Sequence, residues 1–130
     1  MDRPPPHLSG KRILVLEDEA LLAFELLEEL EAAGALPVAS SQKVSHALER
    51  IRSGEMFDAA ILNVWLQGKL SFPVADELRQ RDIPFVFVTG SGADVTQCYP
   101  DITSHPKPAD MDAVVMNLAT LIAKRGGEAT

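Results

Sequence analysis

The sequence predicts an α/β fold: an open, doubly wound sheet of five parallel strands covered by five helices. Three observations carry that reading. Residues 12–16 (Arg-Ile-Leu-Val-Leu), 58–62 (Asp-Ala-Ala-Ile-Leu) and 84–88 (Pro-Phe-Val-Phe-Val) are nearly unbroken apolar runs of strand length. Such runs suit strands buried on both faces of a parallel sheet. The stretches between them have the apolar spacing of helices, and Gly34 and Gly54 stand where those helices would stop. Strands alternating with helices imply parallel pairing, and right-handed crossovers restrict the topology to doubly wound forms.

Taken in order, residues 1–10 are Pro-rich and polar and read as a flexible lead-in before a domain spanning 11–124, with 125–130 as a short tail. After the first strand (12–16), residues 19–33 form a helix whose stripe is Leu22, Leu26, Leu27 and Leu30. Residues 36–40 make a short second strand. Ser41 then caps a helix with Val44, Ala47, Leu48 and Ile51 on its apolar side. The third strand (58–62) leads through a loop at Gly68 to a helix over 72–81, with Pro73 tolerated in its first turn. The fourth strand (84–88) is followed by Thr89-Gly-Ser-Gly and a short, weak helix ending at Tyr99-Pro100. A brief fifth strand (102–105) precedes the closing helix (109–124).

A chain of 130 residues is one domain's worth, long enough for a core without disulfides, and the single cysteine, Cys98, excludes an internal one. The net charge of −7 argues against a nucleic-acid surface. No apolar run is long enough for a membrane span, and no secretory signal opens the chain, so a cytoplasmic location is expected. No Lys or Arg lies between Arg12 and Lys43, whereas Glu17, Asp18, Glu19, Glu25, Glu28, Glu29 and Glu31 all do. This is an acidic helix face, ordinary solvated surface or a docking face for a basic partner.

Four polar stations directly follow predicted strands: Glu17-Asp18, Asn63, Thr89 and Lys107. In open α/β sheets the functional crevice lies beyond the carboxyl ends of the strands, so the four should converge. Their carriers are Ile-Leu-Val-Leu-Glu-Asp-Glu, Phe-Asp-Ala-Ala-Ile-Leu-Asn, Phe-Val-Thr-Gly and His-Pro-Lys-Pro. On these motifs the chain resembles the receiver domains of bacterial two-component response regulators, across residues 11–124. The fold implied is flavodoxin-like. The resemblance implies that an acid pair holds Mg²⁺ and that a strand-three aspartate accepts a phosphoryl group from a histidine kinase. It also implies that a Ser/Thr and a Lys bind the phosphoryl oxygens. By position, Glu17, Asp18, the side chain of Asn63 and the Trp65 carbonyl would face Mg²⁺, and Thr89 and Lys107 the phosphate. The Phe-x-Thr-Gly wording is similar to a subset of single-domain receivers in alphaproteobacteria.

Two departures change the expected function. Asn63 stands at the phospho-acceptor position, and an amide oxygen is a neutral, weak nucleophile where phosphoryl transfer needs an anionic acceptor. It also removes one of three clustered carboxylates. Like charges about 4 Å apart repel by on the order of 4 kcal/mol at an effective dielectric near 20, an upper figure. Mg²⁺ binding is therefore expected to be weakened. At the switch position, where such receivers carry an aromatic ring, this chain has Ser104 and His105, with His105 expected as an exposed strand-end imidazole. The reading that follows is a receiver-like module that is not phosphorylated at Asn63, is not an enzyme and acts by protein–protein contact. Its expected partners are a histidine kinase or phosphotransfer protein at the acidic first helix. A homodimer through the last strand and helix is a further expectation. The alternative is a single-domain phospho-accepting regulator, a phosphorelay shuttle or sink, in which an engineered Asn63 replaces an aspartate. A small phosphatase or nucleotide-binding enzyme fits less well: Glu17-Asp18-Glu19 is not Asp-x-Asp, and no Gly-x-Gly-x-x-Gly follows the first strand.

Overall fold

Every second residue of a strand faces the same way, so a strand apolar at every position needs cover on both sides. The computed structural model, which describes residues 7–39, 43–90 and 97–127, supplies it. Strands β1 (Arg12–Leu16), β2 (Leu36–Ala39), β3 (Ala59–Leu62), β6 (Phe85–Thr89) and β7 (Ser104–Pro106) form one sheet in the order β2-β1-β3-β6-β7. All four pairings are parallel, with Ile13 level with Ala59, and Ala60 with Phe85. On one face Leu14, Leu16, Ala60, Leu62, Phe85 and Phe87 pack under α2 (Val44–Arg52) and α3 (Phe72–Gln80). On the other, Ile13, Val15, Ala59, Ile61, Val86 and Val88 pack under α1 (Ala20–Ala32) and α4 (Met111–Gly127).

Four helices therefore stand among the described residues, rather than five. Most of the expected weak helix, and the expected cap Ser41, lie outside the described residues; Gln97 and Cys98 are helical. Tyr99 closes an aromatic cluster with Phe72, Phe85 and Phe87, its ring 5.0 Å from that of Phe72. Its hydroxyl donates to Asp76 Oδ1 at 2.6 Å, and burial together with that carboxylate pushes its pKa up.

Four boundaries differ from the sequence reading. The last strand, expected over 102–105, runs Ser104–Pro106. The stretch after β3 is a small hairpin, β4 (Trp65–Leu66) with β5 (Lys69–Leu70), rather than a plain loop. Gln67 and Gly68 both have positive φ at its tip, as a type I′ hairpin turn requires. α4 continues to Gly127, into the expected tail. The last part of the expected lead-in belongs to the domain: residues 7–10 form a turn, Leu8 N–H donates to the Ala33 carbonyl at 3.0 Å, and Leu8 is fully buried against the α1/α4 core. The prolines preceding Leu8 disguised an apolar anchor as a linker. Among the described residues no helix is long and apolar enough to cross a membrane.

Because Leu8 has no exposed surface, Leu8→Ala should cost about 2–4 kcal/mol of unfolding free energy in urea. A loss below about 0.5 kcal/mol, the range of surface changes, would mean that the turn is not part of the folded unit.

Candidate functional site

The sheet order sets the site. From β1 the chain crosses outward to β2 and returns to β3 on the other side, so β1 and β3 flank the topological switch point. Their carboxyl ends place Glu17-Asp18 beside Asn63, whose N–H continues the ladder to the Leu16 carbonyl at 2.9 Å. Thr89 ends the next strand and is buried, and its carbonyl accepts the Lys107 N–H at 3.0 Å. Glu17 and Asn63 are also buried. Trp65 opens the hairpin two residues beyond Asn63.

Asn63 is held at both ends. Its carbonyl accepts the hydroxyl of Ser71 at 2.7 Å, a fully buried residue that sits at the start of α3 and spends its side chain here instead of capping that helix. The Asn63 side chain turns its nitrogen inward, donating to Glu17 Oε2 at 3.2 Å and Asp18 Oδ1 at 3.4 Å. An N–H₂ between two carboxylates is the orientation that electrostatics selects, since the amide oxygen there would face two anions. The other oxygen of Asp18 accepts the Gln67 N–H at 2.9 Å and fastens the hairpin tip to the site.

Lys107 lies with its Nζ 2.7 Å from Glu19 Oε1, as donor, and 3.3 Å from Glu17 Oε1. The second contact is within ion-pair range but lacks hydrogen-bond alignment, so among the described residues Glu17 Oε1 has no hydrogen-bond donor. Burial pushes the Glu17 pKa up, against the lowering pull of the Glu19 N–H and the Lys107 charge. Burial works to lower the Lys107 pKa, but Glu19 and Glu17 together outweigh it and the net shift is upward.

The resemblance places the oxygen of Asn63 in the metal set; the side chain presents its nitrogen there instead. The residues present do not fit a cation as arranged, because a donor occupies the point where the two carboxylates converge. Among the described residues no group of three or more His, Cys, Asp or Glu side chains is placed to hold a metal ion. His105 differs from expectation too. It is half-buried, and its Nε2 lies 3.0 Å from Asn117 Oδ1, a contact that ties β7 to α4. Ser104, level with Phe87 in the sheet, is half-buried beside it. Neither Ser71 nor Glu19 was singled out by the sequence reading. A lone Ser before Phe-Pro reads as a cap, and Glu19 reads as the first residue of an acidic helix.

No protein-family model matches the chain, and no curated protein matches it. Solved structures do. SdrG from Sphingomonas melonis Fr1 is 42% identical, with a TM-score of 0.74, over 89% of this chain and 98% of that one. A BeF3-activated conformation of SdrG from Pseudomonas melonis Fr1 is likewise 42% identical, with a TM-score of 0.70, over 88% and 98%. A response regulator receiver protein from Sinorhizobium medicae WSM419 superposes with a TM-score of 0.80 at 26% identity, over 89% and 97%.

Asn63→Asp exchanges two donated hydrogen bonds for a third carboxylate. Without metal it should lower the unfolding free energy by about 2 kcal/mol near pH 8. A carboxyl crowded by two others has its folded pKa raised, so the penalty appears as pH rises through the window between its unfolded and folded values. The gap between the two proteins should therefore narrow towards pH 5. Equal metal-free melts at pH 8 would contradict the role given to the amide.

Proposed function

This chain belongs to the receiver domains of response regulators, the modules of two-component signalling, and we propose that it is a member that works without phosphorylation at position 63, through contacts of its own surface. The observation that carries the reading is the orientation of Asn63. Its nitrogen fills the space between Glu17 and Asp18, so position 63 offers no anionic oxygen to attack phosphorus and, as arranged, the carboxylate pair is occupied by a donor. SdrG is known in a BeF3-activated conformation. Trifluoroberyllate is a tetrahedral phosphoryl mimic that bonds to a carboxylate oxygen, and at position 63 this chain has an amide. Thr89 and Lys107 are joined by a backbone hydrogen bond where β6 and β7 end. Mg²⁺ should therefore bind the native chain more weakly than Asn63→Asp.

We assign the partner-binding role to α1 and place the protein in the cytoplasm. Leu21 and Phe24 lie one turn apart on this helix and are 72% and 57% exposed, next to the exposed Glu25, Glu28 and Glu29. Large apolar groups within an acidic surface suit a histidine kinase or phosphotransfer protein that presents apolar and basic side chains. The homodimer reading rests on the β7/α4 face, where Met116 is 47% exposed.

Intact mass after incubation with acetyl phosphate and Mg²⁺ tests the acceptor claim, with Asn63→Asp alongside. The native chain should gain nothing and the variant one phosphoryl mass. Gain by the native chain would place an acceptor elsewhere and overturn the reading. Phe24→Asp, on the exposed face of α1, should leave the unfolding free energy within about 0.5 kcal/mol of native. A larger loss would make Phe24 a packing residue and remove it from the docking face.

A further inference from the structure

Lys107 is the station whose contacts the acceptor argument leaves unexplained. With no carboxylate at position 63, its ammonium could face solvent or a small anion; instead it donates to Glu19 Oε1 at 2.7 Å, across 88 positions of sequence. Glu19 is the residue that precedes α1, and its backbone N–H donates in turn to Glu17 Oε2 at 2.9 Å. Glu17 Oε1 lies 3.3 Å from the same ammonium. Lys107 N–H is bonded to the Thr89 carbonyl at the end of β6. One chain of contacts thus runs from the ends of β6 and β7 through Lys107 to the start of α1.

We propose that Glu19 is a built-in anionic ligand for Lys107, a latch that holds the end of β7 against the start of α1 with no phosphoryl group present. The inference rests on the reading of Asn63 given above. The Lys107 side chain is 20% exposed and that of Glu19 65% exposed, so Glu17 anchors the ammonium from below while Glu19 closes over it from solvent. A contact with one exposed arm opens and closes readily, and its hold is limited to what one exposed ion pair gives. Its consequence is positional: an ammonium engaged by Glu19 is withheld from an anion arriving at position 63. The latch thereby makes the α1 surface and the β7 end one unit.

Backbone hydrogen exchange of native protein, Glu19→Gln and the surface control Glu49→Gln, on α2, tests this. Opening the latch in Glu19→Gln should speed exchange at Ser104, His105 and Lys107 by up to about 5-fold, the limit set by one exposed pair, and Glu49→Gln should match native. Exchange in Glu19→Gln as slow as native overturns the latch, as does equal acceleration by Glu49→Gln. A second comparison uses Asn63→Asp, where the introduced carboxylate oxygen forms a bond to phosphorus as the bond from phosphorus to acetate breaks. Adding Glu19→Gln should speed that uptake from acetyl phosphate, and an equal or slower rate counts against the proposal. If Asn63→Asp takes up no phosphate at all, the pocket reading fails separately, and the exchange comparison alone decides the latch.

Discussion

The arrangement around the site depends on one amide nitrogen lying between two carboxylates. Glu17 is buried, and burial disfavours its charge. Glu17 and Asp18 are adjacent in sequence and converge on one point, so something must supply positive character there. A divalent cation would do so from outside; the Asn63 amide does so from within, through two donated N–H bonds. Once the amide is turned that way, the free oxygen of Asp18 is available to hold the hairpin at Gln67. Lys107, with no carboxylate to meet at position 63, turns to Glu19 and Glu17.

These contacts need the sheet to bring them together, and the sheet owes its order to side chains far from the site. Alternate residues of β1, β3 and β6 feed two separate cores, and each core fixes strand register because a one-residue slip would exchange the faces. Register in turn sets which residue emerges at each carboxyl edge. Ser71 adds a local clamp by holding the Asn63 carbonyl while α3 begins. The pocket is thus rigid from the strand side and joined by ion pairs on the solvent side.

The strands whose residues are apolar throughout, β1, β3 and β6, were legible in the sequence to within a residue or two, because two-sided burial leaves a continuous apolar run. β7 was displaced by about two residues: it is short, only half-buried, and carries little apolar signal. Leu8 was hidden by the Pro-rich stretch before it, and the hairpin at 65–70 by its brevity. At the site, the convergence of Glu17, Asp18, Asn63, Thr89 and Lys107 followed from strand ends alone. What was not legible is the pattern of contacts among them. The inward turn of the Asn63 nitrogen, the Ser71 clamp and the Glu19–Lys107 pair depend on distances of a few ångströms between residues remote in sequence. Composition and spacing carry no record of these. His105 shows the same limit, since its bond to Asn117 depends on how α4 lies across β7.

Whether the Asn63 amide closes the pocket to phosphoryl chemistry decides the proposed function. The most direct measurement is a backbone amide NMR titration of the native chain with Mg²⁺ followed by beryllofluoride. Beryllofluoride should produce no saturable shifts at Thr89, Lys107 or residues 63–70 of the native chain, and half-saturation by Mg²⁺ alone should need a higher concentration than in Asn63→Asp. Saturable shifts with beryllofluoride at those positions in the native protein would show that the pocket takes a phosphoryl mimic with the amide in place, and would contradict the proposal.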